Sequence, residues 1–135
     1  MTPLLRVVSF GYGHAAPPLA DITLDLRRAL RNPHHDPAMR QMTGLDDRVY
    51  QHVLATPGAW QLAAQTTLAA HILLTESGAP MLTVAAGCVG GRHRAVVMAR
   101  EIQKLALLYV EASGYEVELV HRDVHRPVLP SSVHS

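Results

Sequence analysis

One stretch gathers the residue types that hold and transform anions: Gly87-Cys88-Val89-Gly90-Gly91-Arg92-His93-Arg94. An apolar, β-prone run (Met81–Ala86) leads into it, and a helical pattern (His93–Ala112) leads out. Backbone amides at a helix start have no intrahelical acceptor and sit at the positive end of the helix dipole. Glycines let a ligand approach the backbone closely, and two arginines and a histidine add positive charge. The spacing predicts a phosphate or carboxylate pocket. A plain glycine-rich turn with solvated arginines is the alternative.

Cys88 and Arg94 also stand in the spacing Cys-x5-Arg. This is similar to the phosphate cradle of cysteine-dependent phosphatases, where a thiolate attacks phosphorus and the arginine holds its oxygens. A helix N-terminus and two arginines favour a thiolate at Cys88. Asp36 or Asp25 is the candidate acid. Gly87 stands where that family has a histidine, and Ala95 where it has a serine or threonine. His34, His35, Asp36, Cys88 and His93 are also metal-ligand types, but adjacent histidines on a Pro-flanked loop lack a ligand spacing. No metal and no cofactor is expected. Nothing matches Gly-x4-Gly-Lys-Ser/Thr, so hydrolysis of the P-loop kind is not expected.

A second stretch belongs with the first. Arg27–Pro37 gathers arginines, His34, His35 and Asp36, and two prolines and Asn32 keep it irregular. Long ordered loops are often functional. Gly11–Pro18 is a further loop, after a buried strand, and it carries His14.

Elements must hold these loops together. Leu4–Phe10, Asp21–Leu26, Met81–Ala86 and Tyr115–Val120 read as strands. A short helix enters at Thr43 or Asp46, a longer one spans Ala59–Ser77, and a third spans His93–Ala112. The second helix has a broad, alanine-rich face, suited to close packing on a sheet or another subunit. The alternation predicts a small α/β domain over residues 1–126, with a largely parallel sheet and helices on both faces. Residues 127–135 read as a disordered tail.

Composition sets limits. A chain of 135 residues with 48% hydrophobic residues can bury a real core. A net charge of +1 gives no global basic field. Cys88 is the only cysteine, which suits a reducing compartment, and no run has the length of a membrane span. A soluble, cytoplasmic protein is expected.

Several segments in order resemble the C-terminal domain of the RapZ (YvcJ) RNase adapter family. They are Val8–Tyr12, Asp25–Arg27, Asn32-Pro33-His34-His35-Asp36-Pro37, Met42-Thr43-Gly44-Leu45-Asp46 and Gly87–Arg94. The resemblance runs from about Arg6 to Arg122. It implies a fold related to a phosphofructokinase subdomain, here expected as a stand-alone domain without the P-loop domain of full-length relatives. It implies a pocket for a phosphorylated metabolite, glucosamine-6-phosphate in particular, drawing on His34, Val89, Gly90, Gly91, His93 and Arg94, with Cys88 beneath the loop. It also implies binding of structured regulatory RNA, for which Arg122 and Arg126 are the basic candidates, and work through a separate regulatory protein. A homo-oligomer is expected. Two positions depart from the family. Val89 replaces a threonine and Ala95 a serine, each removing a hydroxyl. Lys104 is the only lysine, so the lysine-rich tail of the enterobacterial adapter has no counterpart.

Overall fold

The computed structural model describes residues 2–134. Its strands are β1 (Leu4–Gly11), β2 (Ile22–Asp25), β3 (Met81–Cys88) and β4 (Glu116–His121). All pairings are parallel, in the order β2-β3-β1-β4. The helices are α1 (Asp47–Leu54), α2 (Ala59–Ser77) and α3 (Arg94–Ser113). The expected α/β class and parallel sheet are therefore present. β2 is shorter than the expected Asp21–Leu26, because Asp21 caps its start through a side chain: Asp21 Oδ2 accepts the Thr83 amide at 2.8 Å.

Register decides which residues share a face. Leu5 lies beside Leu82 and Val117, and Val7 beside Val84 and Leu119. This alternation packs with Ala63, Ala70 and Leu74 of α2 and with Met98, Ala99, Ile102 and Ala106 of α3 in one core cluster. Each buried aliphatic side chain of this size contributes about 1.5–3 kcal/mol. The opposite alternation carries a half-exposed Arg6–Glu118 ion pair at 3.8 Å and the exposed Met81. The helices thus pack on one face, not both. The connectivity explains it. From β2 to β3 and from β3 to β4 the chain steps the same way across the sheet, and right-handed crossovers then put both sets of helices on one side.

A smaller cluster of Met39, Val49, Val53 and Val97 joins α1 to the first turns of α3. The Tyr50 hydroxyl donates to the buried Glu101 carboxylate, and the Arg100 guanidinium lies 4.3 Å over the Tyr50 ring. These ties hold the irregular 32–46 crossover against the N-terminus of α3. Beyond β4, Ser131–His134 form a short 3-10 turn, and Ser131 Oγ lies 3.2 Å from His34 Nε2. Ser135 lies outside the described residues.

The strand order also places the loops after β1 and β3 together. The chain leaves β1 across β3 to reach β2 and leaves β3 across β1 to reach β4. The two loops therefore meet at the carboxyl ends of the strands, the end where open α/β sheets bind ligands.

Candidate anion-binding site

Both strands end in glycine-bearing loops. The ladder pairs Gly11 with Cys88, and then the loops themselves zip: Tyr12 N–H donates to Cys88 O and Gly13 N–H to Val89 O, both at 2.9 Å. A Cβ on Gly11 would stand 2.5 Å from the Gly90 carbonyl carbon, and one on Gly91 would stand 2.6 Å from the Gly11 amide nitrogen. Gly91 also has φ +70°. Side chains at either position would force the loops apart.

Three residues pull the surrounding chain onto this junction. The fully buried Asp123, just after β4, accepts the Gly11 amide at 2.8 Å. Desolvation pushes the Asp123 pKa up, but the Arg122 hydrogen bond, the Gly11 amide and the charges of Arg122 and His14 outweigh it, so the net shift is downward. Arg92 donates to the carbonyls of Gln41 at 2.6 Å and Arg126 at 3.0 Å. Gly44 packs on the start of α3, where a Cβ would meet Val96 Cβ at 2.7 Å, and its amide donates to Arg92 O at 2.7 Å.

The loop carries unpaired donors. Among the described residues, no backbone amide from Val89 to His93 donates to another protein group. They precede a helix of 20 residues, whose dipole favours negative charge there. The buried side-chain nitrogens without a partner, among the described residues, are His14 Nε2, Arg92 Nε, His93 Nε2 and Arg94 Nε. Leaving such a group unsatisfied costs about 1–3 kcal/mol, and the Nε–H groups of Arg92 and Arg94, which can only donate, ask for an acceptor.

Arg94 is 3% exposed. Its Nη1 donates to the carbonyls of Arg27 at 3.3 Å and Ala29 at 3.1 Å. Leu30 beside them holds φ +67°, a left-handed backbone rare for a branched residue. Burial lowers the Arg94 pKa, while Cys88 and Asp25 act in the opposite sense. Burial likewise drives His93 down to about 4; Arg92 adds to this, and the carbonyls of Met42, Met39 and Arg40 partly offset it. His93 is therefore neutral at pH 7.

His34 is buried on the 3-10 turn Pro33–His35, which Asn32 caps by accepting the His34 amide at 3.1 Å. Desolvation lowers its pKa, with the charges of Arg40, His35 and Arg94 adding to the effect. The Asn-Pro-His segment thus lies within range of the Arg94 charge.

Against known families, residues 3–125 match the model of the RapZ C-terminal domain. The chain belongs to the RapZ C-terminal domain family. A nucleotide-binding protein of Thermus thermophilus is 46% identical over 127 residues, covering 91% of this chain and 44% of the relative. One from Sphingopyxis alaskensis is 41% identical over 126 residues, covering 90% and 38%. One from Thermobifida fusca is 39% identical over 124 residues, covering 90% and 40%. The chain spans less than half the length of these relatives.

Within this RapZ C-terminal domain, the other residues singled out by sequence fall in distinct places. Cys88 is 3% exposed and belongs to the main apolar cluster, under the loop rather than on it. The Asp36 carboxylate accepts the Ala38 amide at 2.9 Å and shapes its own turn. Arg122 is engaged inside the fold, donating to Ala16 O at 2.6 Å and Asp123 at 2.9 Å. Arg126 is about half exposed, with Nε donating to Asp123 at 2.9 Å. No group of three or more His, Cys, Asp or Glu side chains among the described residues is placed to hold a metal. Among the described residues, no helix is long and apolar enough to cross a membrane. Asp123, Gly11 and Arg92 were not singled out by sequence as organisers of the site. An acid inside the basic run His121–Arg126 was the available signal for Asp123.

Proposed function

We propose that this domain binds a phosphorylated small molecule at the carboxyl ends of β1 and β3, over the Val89–Arg94 loop. The supporting observation is the concentration of buried, unpartnered nitrogens on His14, Arg92, His93 and Arg94 beside amides that donate to no protein group. Phosphate oxygens supply the acceptors that the protein lacks there. The loop amides and Arg94 offer charge-assisted hydrogen bonds. Val89 and Ala95 contribute no hydroxyl, so recognition rests on backbone, Gly90, Gly91 and the basic side chains. The ligand class is an amino-sugar phosphate or a nucleotide, the latter in keeping with the names of the relatives. The domain acts as a cytoplasmic sensor that reports occupancy to a regulatory protein or a structured RNA. A phosphatase would need the Cys88 sulfur to reach phosphorus, and its burial in the apolar cluster supports the binding role instead.

Calorimetry with glucosamine-6-phosphate, nucleoside mono- and diphosphates and inorganic phosphate tests this. Heat is expected from at least one organic phosphate, and loss of that heat in Arg94→Ala with unchanged circular dichroism. No heat from any of them, or the same heat in the variant, overturns it.

A further inference from the structure

Beyond β4 the chain turns back onto the candidate site. Asp123–Arg126 form a turn held from inside the fold. The Arg126 amide donates to Asp123 O at 3.0 Å, and its Nε donates to the Asp123 carboxylate at 2.9 Å. Arg92, on the glycine loop, donates to the carbonyls of Val124 at 3.4 Å and Arg126 at 3.0 Å. Further along, Ser131 Oγ lies 3.2 Å from His34 Nε2. The segment between is thus fastened at one end to the glycine loop and at the other to the Asn-Pro-His turn. Pro127 and Pro130 restrict its backbone and remove two amide donors, and Val128 and Leu129 between them are half-buried. Such a segment lies across the surface as a strap.

The two fastenings differ in kind. Arg92 is a charged donor on carbonyl oxygens, and charge-assisted bonds are about twice as strong as neutral ones. The far contact joins a hydroxyl to a ring nitrogen. Ser131 is exposed and His34 is 2% exposed, so the hydroxyl meets the ring from the solvent side. The charges of Arg40, His35 and Arg94 all bear on that ring, and Arg40 Nε donates to His34 O at 2.7 Å. An anion at this place gains from those charges, whereas a serine hydroxyl does not.

We propose that residues 127–132 are an autoinhibitory strap: Ser131 holds the place on His34 that a phosphate oxygen takes, and the ligand displaces it. This rests on the phosphate-binding reading above and adds its regulation. The strap reduces the apparent affinity by the fraction of chains in which it is undocked.

Calorimetry on the full chain, with glucosamine-6-phosphate and with inorganic phosphate as probes, tests this through two variants at one exposed position. Ser131→Ala removes the hydroxyl and should bind the probe about threefold tighter, on the scale of one neutral hydrogen bond. Ser131→Glu sets a tethered carboxylate among the same charges and should bind about threefold weaker or less. A merely structural contact does not produce opposite shifts. Hydrogen exchange across residues 127–132 should quicken when the parent is saturated with the probe. Equal or weaker binding in Ser131→Ala, equal or tighter binding in Ser131→Glu, or exchange that slows on saturation overturns the strap and leaves the binding reading standing. No heat from the parent or from either variant overturns both.

Discussion

Asp123 and Gly11, 112 residues apart in the chain, are joined by a 2.8 Å hydrogen bond from the Gly11 amide to the buried carboxylate. The bond ties the end of β4 to the loop after β1, and Gly11 in turn touches the backbone of Gly90 and Gly91. One buried acid therefore fixes the junction of the two loops. Its charge is matched by Arg122 and Arg126, each paired with it at 2.9 Å.

Asp123→Asn should destabilise the domain by about 3 kcal/mol, the scale for breaking a buried, hydrogen-bonded pair. Urea denaturation measures it. The sign with pH follows from the lowered Asp123 pKa. The native carboxylate holds its proton less tightly than the unfolded one, whose pKa is about 3.9. Its stabilisation is complete above that value and is lost as pH falls through the native pKa. The variant should lack this part of the acid limb.

His93 acts in the same sense as Asp123 but over a higher pH window. Its native pKa is about 4. The unfolded ring takes up a proton near pH 6.5, so stability should fall as pH drops from about 6.5 to 4 and then level, by up to about 3 kcal/mol. His34 and His121 are shifted down too and act in the same direction. His93→Gln isolates the His93 share in a stability-versus-pH curve. If an anion binds against this ring, binding near pH 5 to 6 should also take up a proton, visible as a dependence of calorimetric heat on buffer ionisation enthalpy.

The sequence revealed elements better than partners. α2 was legible to the residue at Ala59–Ser77, since periodicity and the closing Gly78 both mark it. β1 and β3 were legible as apolar runs ending in glycine. The placing of helices on one face was not, because it depends on strand order, which no local pattern encodes. Arginine roles were equally hidden. Arg122 and Arg94 look alike in the chain, yet one straps Ala16 to Asp123 and the other ties the start of α3 to Ala29. A guanidinium finds its carbonyls only after the fold has closed. Gly44 stood inside a recognisable motif, but its reason, the 2.7 Å approach a Cβ would make to Val96, is tertiary.

Gly91→Ala should damage binding more than folding. The left-handed φ of +70° alone costs an L-residue about 1–2 kcal/mol. The Cβ would also press on the Gly11 amide at 2.6 Å, shifting the loop amides from their aim. We expect at least a tenfold loss of ligand affinity by calorimetry, together with a lowered but cooperative thermal transition.

Arg92 and Arg94 should separate stability from recognition. Arg92 spends its guanidinium on Gln41, Met42, Val124 and Arg126 carbonyls, bridging the crossover to the end of the chain. Arg92→Ala should cost about 1–3 kcal/mol of stability by leaving those carbonyls unpaired. Arg94→Lys keeps the charge but loses the planar fork that reaches Arg27 and Ala29 while leaving Nε–H unpaired. It should weaken phosphate binding about tenfold or more, on the scale of one lost charge-assisted bond. Titrations of both variants, paired with urea curves, check the split.

Cys88 supplies the last test, because burial and nucleophilicity make opposite demands on it. Its sulfur lies in the apolar cluster with Ala86, Ala95 and Ala99, and the residue is 3% exposed. A buried structural thiol is inert, whereas a catalytic thiolate must meet its substrate. Labelling by a thiol-reactive chromophore should therefore be slow in the native domain and fast in urea. Saturating phosphorylated ligand should slow it further, since ligand bound above the loop stabilises the closed form by mass action. Cys88→Ser should bind ligand within about threefold of the parent and cost about 1–3 kcal/mol of stability, because it buries a hydroxyl among alanines. Fast native labelling, or turnover of an aryl phosphate that vanishes in Cys88→Ser, would instead put the sulfur at the centre of a reaction.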